Sequence, residues 1–320
     1  MTTTPSVPST DAVGRPATVS VVVPFRDAAS HLPGLLDALG HQDLSGDRWE
    51  VVFVDDGSSD DGPGLVEAAL GRGLFRGRLV SSPPPPSSYA ARNAGVGVAT
   101  GDVLAFTDAD CRPSPDWLSA LLARLGPAEA DQVVAGAVEM TVDDRRNPWE
   151  LFDAAVHLDN AAAATTGRVA TANMAVRRGV FTSVGPFPEV TSGGDHLWSR
   201  RAREHGHAVV FAPEVVVQHP TRSTRAALEA KLDRTSRGQG EAAARDPALR
   251  TPTMLRALGR PLLVQRHLRV ARSPDVDGGL GLRARLFLVS VWLRSRQVPA
   301  YFAGLRDGGS DHHRGAAHDG

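Results

Sequence analysis

The stretch "GDVLAFTDADC" (residues 101–111) runs apolar through Val103, Leu104, Ala105 and Phe106, then ends in two carboxylates, Asp108 and Asp110. The apolar run reads as a buried strand, and residues at i and i+2 of an extended chain point the same way. Two carboxylates so placed repel each other unless something positive sits between or beyond them. One reading makes this a strand end followed by a helix cap, with Asp110 or Ser114 capping the helical run that starts at Trp117. The other makes it a place built for a cation. The rest of the chain decides between them.

Working outward, the same form recurs. "VSVVVPF" (19–25) is a buried strand, followed by a helix through Leu32, Leu35, Leu36 and Leu39. "WEVVFVDDGSSDD" (49–61) is a strand running into an acidic turn with Gly and Ser. "RLVSS" (78–82) is a third strand, followed by the proline run 83–86 and a helix near Ala90–Ala99; a helix over 117–125 follows the fourth strand. Strands alternating with helices predict an α/β fold on a mainly parallel sheet. In such sheets ligands collect at the carboxyl ends of the strands. Asp55-Asp56 and Asp108-Asp110 both fall at such ends, which weighs against a purely capping role.

Net charge is −1, but it is unevenly spread. Residues 1–221 hold 17 Lys+Arg against 27 Asp+Glu, and residues 222–320 hold 18 against 9. An acidic front suits a cation-using site, and a basic back suits something anionic. The single cysteine, Cys111, excludes an intramolecular disulfide framework and fits a reducing compartment. Lys231 is the only lysine, a mark of composition bias. No apolar run reaches membrane-spanning length and no signal peptide opens the chain, so a cytoplasmic protein is expected. Residues 1–17 are Thr, Ser and Pro rich and are expected to be disordered.

Taken together, several stretches carry a family resemblance. "VSVVVPFRDA", "VVFVDDGSSDD" and "ARNAGVGVATGDVLAFTDADC" are followed by "TANMAVRRGVFTSVGPFPEV", "GGDHLWSRRAREHG" and "VVFAPEVVVQHP". In this order they resemble an inverting family-2 glycosyltransferase. The resemblance implies the GT-A fold, a Rossmann-like nucleotide-diphospho-sugar transferase domain over residues 18–221. Its donor half would cover about 18–112 and its acceptor half about 113–221. It implies Mg²⁺ or Mn²⁺ as cofactor, a nucleotide-diphospho-sugar donor and a hydroxyl acceptor that is a glycan, a lipid-linked sugar or a small molecule. No nucleic-acid partner is expected.

By that resemblance Asp110 ligates the metal and Asp108 contacts the ribose or metal-bound water. Asp55 and Asp56 match the acidic pair that reads the base, while Pro24, Arg26 and Asp27 line the crevice from the first strand. Arg92 either reaches the base or phosphate or is a surface helix residue. Inversion needs one base to take the acceptor proton. The family usually shows Glu-Asp before a helix. Here Gly194-Asp195 aligns with it, making Asp195 the base, with a helix cap as its alternative role. The absent Glu leaves the acceptor geometry open. His219 in "VVQHP" sits where a late histidine joins the metal or diphosphate, or else is a core or loop histidine.

Other signals are weaker. "GVGVATG" (95–101) precedes a strand instead of following one, so it fails as a dinucleotide fingerprint. The Gln-x-x-Arg-Trp signature of processive synthases is absent, so a non-processive enzyme is expected. The rival from another class is a GT-A-like module that binds sugar nucleotide or a partner without turnover. Residues 222–306 read as a basic helical region and 307–320 as a loose tail whose His312, His313 and His318 are solvated. The run 282–306, with arginines at 283, 285, 294, 296 and 306, either lies on an anionic membrane surface or packs as a helix on the catalytic domain. Attachment at the inner face of the plasma membrane is the first of these alternatives.

Overall fold

Runs of valine with no polar interruption make strands that are buried on both faces. In the computed structural model, which describes residues 18–126, 131–245, 247–273, 276 and 278–315, these runs form the centre of an eight-stranded sheet. The elements up to the sheet's middle are β1 (Val19–Phe25), α1 (Leu32–Gly40), β2 (Trp49–Asp55), α2 (Gly62–Gly71), β3 (Gly77–Ser81), α3 (Ser88–Val98) and β4 (Val103–Thr107). There follow β5 (Arg112–Pro113), α4 (Trp117–Leu125), β6 (Gln132–Thr141), α5 (Pro148–Val156), α6 (Asn160–Ala164) and β7 (Asn173–Arg177). Then come α7 (Arg178–Val184), α8 (Gly194–Glu204) and β8 (Ala208–Pro220). Four further helices close the chain: α9 (Arg225–Arg245), α10 (Pro247–Gly259), α11 (Val264–Ala271) and α12 (Leu280–Gly315).

The strand order is β3-β2-β1-β4-β7-β6-β8-β5. β3, β2, β1 and β4 are parallel neighbours, as the strand-helix alternation predicts. β7 runs antiparallel to both β4 and β6, while β6 and β8 are parallel. Alternating side chains divide the core in two. Val21, Val23, Val103 and Ala105 face α1, α2 and α4, whereas Val22, Leu104 and Phe106 face α3, α7 and α8. On the second face Trp198 stacks on Phe181 at 5.5 Å, and Phe187 meets Phe106 edge-on at 5.2 Å. Truncating a buried aromatic such as Trp198 to alanine costs about 3–5 kcal/mol.

The sheet ends at Pro220 and the helices α9–α12 pack beyond it. Leu228 and Leu232 of α9, Leu286 and Leu293 of α12, and Leu151 and Phe152 of α5 share one core. α9 and α12 cross where glycine faces backbone. A Cβ at Gly304 would lie 1.9 Å from the Arg237 carbonyl oxygen, and one at Gly240 would lie 2.1 Å from that of Tyr301.

The run 282–306 is therefore a packed helix. Arg283 donates to the Ala271 carbonyl (2.9 Å), Arg296 pairs with Glu229 (3.5 Å) and Arg306 with Asp307 (3.5 Å). Arg294 lies over the Phe152 ring at 5.8 Å. The tail expected to be loose from Asp307 continues α12 as far as Gly315, carrying His312 and His313 in the helix. Residues 1–17 and His318 lie outside the described residues. Among the described residues no helix is long and apolar enough to cross a membrane.

Candidate active site

Strand order reverses at β1, with β2 and β3 on one side and β4 on the other, so a crevice opens at the carboxyl ends of these strands. Pro24 is buried inside β1 opposite Val54, and Arg26 and Asp27 follow it, exposed, at the strand end. Asp27 adopts a positive φ of 49°. Its Oδ1 accepts from the backbone N–H of Ser59 (2.7 Å) and from the Ser59 hydroxyl (2.9 Å). These bonds, the backbone one foremost, hold its carboxyl below the ordinary value. Asp27 thus fastens the loop after β1 to the loop after β2, with Arg26 Nε 3.6 Å from its other oxygen.

At the end of β2, Asp55 Oδ1 accepts from the Ser58 N–H (2.9 Å), closing the turn. Asp56 is buried and accepts from the Ser87 N–H (3.1 Å). Ser87 is the N-cap of α3, its hydroxyl oxygen accepting from the Ala90 N–H at 3.3 Å. Asp56 therefore fixes where α3 starts, and α3 carries Tyr89 and Arg92 one turn apart.

Arg92 is 4% exposed, so it is not a surface residue. Its Nη2 pairs with Asp108 Oδ1, its Nη1 donates to the Ser88 carbonyl (3.1 Å), and its guanidinium lies over the Tyr89 ring at 5.6 Å. The Tyr89 hydroxyl donates to Asp195 Oδ1 at 3.3 Å. Burial, and after it the Asp195 charge, push the phenol pKa up, so Tyr89 stays protonated and donating. One chain of side chains thus runs from Asp108 to Asp195.

Asp195 is not the cap of its helix. Gly193 holds that position in a left-handed conformation (φ 82°), and Asp195 sits in the first turn. Its Oδ1 also takes the His196 N–H (2.9 Å). No described donor claims Oδ2. Gly194 is explained by space: a Cβ there would lie 2.8 Å from the Pro188 carbonyl oxygen and 2.9 Å from the Tyr89 ring. Tyr89 fills the volume that a glutamate at 194 would need.

Neither Asp110 nor Ser114 caps α4. The cap residue is Asp116, whose side chain makes no cap bond, and the Ser114 hydroxyl instead donates to Asp116 Oδ1 (2.7 Å). Asp110 turns toward His219, whose Nε2 lies 3.4 Å from Asp110 Oδ2. His219 is 3% exposed, and its Nδ1 lies 2.7 Å from the Pro220 carbonyl oxygen. With Nδ1 taken up by that carbonyl, Nε2 is the ring nitrogen that faces Asp110, the orientation a metal-ligating imidazole requires. Asp110, Cys111 and His219 bring ligand atoms within 4.8 Å of one another. Burial, with Asp108 and Asp110 adding to it, pushes the Cys111 thiol pKa up. A carboxylate and a neutral imidazole suit Mn²⁺, and the carboxylate alone suits Mg²⁺.

A second polar cluster, unmarked in the sequence, lies beside this one. Asp153 is fully buried and pairs with His157; its Oδ2 accepts from the Arg222 backbone N–H (2.9 Å) and Nη1 (3.1 Å). Burial alone would raise Asp153, but His157, Arg222 and Lys231 hold it well below the carboxylate range. Burial pushes His157 down to about 4. The sole lysine belongs here: burial and Arg222 push Lys231 down to about 8, against the pull of Asp153 and Asp110. Its count of one was the only signal available in the sequence. Nothing singles out Tyr89, Asp153 or His157 before the fold is known.

A parallel α/β crevice with acidic groups at successive strand ends, extended by an antiparallel strand and by a helix that carries Asp195 in its first turn, defines a nucleotide-sugar-dependent glycosyltransferase of the GT-A type. The chain belongs to glycosyl transferase family 2, whose profile matches residues 20–185. It is 32% identical over 223 residues to the glycosyltransferase AglE of Haloferax volcanii, a match covering 69% of this chain and 72% of that protein. To the pre-mycofactocin glycosyltransferase of Mycobacterium tuberculosis it is 29% identical over 224 residues, 64% of this chain but only 43% of that protein. Its fold is similar to that of the mannosyltransferase PcManGT from Pyrobaculum calidifontis, solved with GDP-Man and Mn²⁺. The TM-score is 0.62 at 20% identity, covering 91% of this chain and 88% of that one.

Proposed function

We propose that this glycosyltransferase is metal-dependent, inverting and non-processive, and moves a sugar from a nucleotide-diphospho-sugar to a hydroxyl acceptor. Residues 18–112 hold the donor and 113–221 the acceptor. Asp55 and Asp56 flank the base, Pro24, Arg26 and Asp27 form the near wall, and Asp108, held by Arg92, faces the ribose. Asp110 and His219 are the metal ligands. A divalent ion bound there supplies the positive charge that a departing diphosphate requires. Lys231 adds a second cation on the same side.

Asp195 is the base. One carboxylate oxygen is anchored by Tyr89 and His196, and the other is free to take the proton of the attacking hydroxyl. The observation that carries the reading is the continuous path from Asp108 through Arg92 and Tyr89 to Asp195, which supports Asp195 as a base acting beside the donor crevice. A non-catalytic module has no need of such a base. The basic C-terminal part is read as a membrane-facing attachment.

The metal assignment is tested by calorimetry with nucleoside diphosphates, with and without Mn²⁺. Asp110→Ala is expected to abolish the metal-assisted part of the affinity and to stop transfer. Unchanged metal-assisted affinity in the variant overturns the assignment.

A further inference from the structure

Residues 247–273 carry six arginines and no acidic residue. In the fold they make a corner: α10, a short 3₁₀ turn (Arg260–Leu262) and α11. The corner is anchored from behind at both ends. Thr253 Oγ1 lies 2.9 Å from the Tyr301 hydroxyl of α12, with Ala257 buried beside it. On the other arm His267 is fully buried, its Nδ1 2.8 Å from the Ser290 hydroxyl, and Val270 enters the helical core.

What the anchors leave outside is apolar. Leu255, Leu258, Leu262, Leu263 and Val264 are between 42% and 77% exposed, five large apolar side chains within ten consecutive residues. Single exposed leucines need no explanation, but a contiguous group does. Arg250, Arg256, Arg266, Arg269 and Arg272 around them are exposed, and none has a carboxylate partner among the described residues. The arginines of the run 282–306 differ, since four of their five side chains are engaged within the protein.

We infer that the α10–α11 corner is a docking surface for an anionic lipid bilayer, with the leucines entering the interface and the arginines meeting lipid headgroups. This gives the attachment proposed above a location, at a surface other than the run 282–306, and it does not depend on the transfer chemistry. Charge selects the occupant. A second copy of the same patch would set five exposed arginines against five, which like-charge repulsion opposes. The chain's own residues 1–17 carry one Asp and one Arg, so they offer no counter-charge. A surface of phosphate headgroups over hydrocarbon satisfies both features together.

The test is flotation of the full chain with phosphatidylglycerol-containing or purely phosphatidylcholine vesicles, at low and high salt. Anionic vesicles are expected to capture the chain at low salt and release most of it at high salt. Arg256→Gln, Arg266→Gln and Arg269→Gln together should weaken capture about a hundredfold, at about fivefold for each near-surface charge. Leu262→Ser with Leu263→Ser should weaken it about tenfold or more, with little dependence on salt. A control pair on α12, Arg285→Gln with Leu288→Ser, should leave capture unchanged. All variants alter exposed positions, and donor binding measured alongside reports that each is folded. The inference is overturned if anionic vesicles capture no more than neutral ones, or if the corner variants float like the intact chain. It is equally overturned if only the α12 control loses capture, or if the corner variants change the oligomeric state without vesicles, which makes the patch a contact between chains.

Discussion

Replacing Tyr89 with phenylalanine removes one oxygen atom and leaves the ring packed over Gly194 and against Phe187. The lost group is the donor to Asp195 Oδ1 at 3.3 Å. Hydrogen bonds to charged groups contribute about 1.5–3 kcal/mol, and a bond this long belongs at the lower end. The His196 N–H remains on the same oxygen, so Asp195 keeps one anchor and gains freedom to rotate. A loss of about 1.5 kcal/mol in holding the base corresponds to roughly a tenfold fall in kcat. Tyr89 meets the donor side only through its ring, which lies under Arg92 and is kept by phenylalanine, so KM for the donor should stay within about twofold, the split expected of a positioning residue. Steady-state transfer at saturating acceptor, with donor varied, measures both constants, and Tyr89→Phe can be compared with Tyr89→Leu, which also empties the space beside Gly194. A Tyr89→Phe enzyme with wild-type kcat shows that the phenol does not hold the base. A rise in donor KM at constant kcat moves Tyr89 into the donor site instead.

Asp195→Asn is nearly isosteric and keeps both anchoring bonds available, yet it cannot accept a proton. Transfer should drop about two to four orders of magnitude with donor binding intact, and near-normal turnover would assign the base elsewhere. The Asp153–His157 cluster predicts acid sensitivity. His157 falls from 6.5 to about 4 on folding, so the unfolded chain takes up the proton first as pH drops. Stability is full above pH 6.5 and declines toward pH 4, by on the order of 3 kcal/mol from this group. Thermal melts across that window should show a steeper fall for the intact chain than for His157→Gln, and parallel curves would remove His157 as the cause.

Much of the donor half was legible before any coordinates. Uninterrupted valine runs ending in paired acids give strand, direction and ligand edge at once, because side-chain period and strand-end chemistry are local properties. β1, β2, β3 and β4 and helix α4 follow from that reading with boundaries within a residue or so. β7 was hidden: "NMAVR" is five residues long, with nothing local to show that it pairs antiparallel with β4. The alternative readings of single residues were also beyond local reach. Arg92 looks like any arginine on a helix, yet the turn after β2 buries it against Asp108.

From the sequence alone came the class of fold and the acidic strand ends, since each depends on residues near one another in the chain; Asp195 was singled out only through the family resemblance. Only the tertiary structure decided how those residues are used. Tyr89 and Asp195 meet across 106 positions of sequence, and His219 reaches Asp110 because β8 pairs with the short strand β5 that follows Asp110. The basic region was likewise visible as charge, but packing determined which arginines are engaged, among them Arg283, Arg294, Arg296 and Arg306 of α12, and which have no carboxylate partner among the described residues, among them Arg256, Arg266 and Arg269 of the α10–α11 corner. The physical reason is the same in each case. Periodicity and composition act over one or two turns of chain, whereas burial and charge pairing are set by which distant elements the closed sheet and its helices bring into contact.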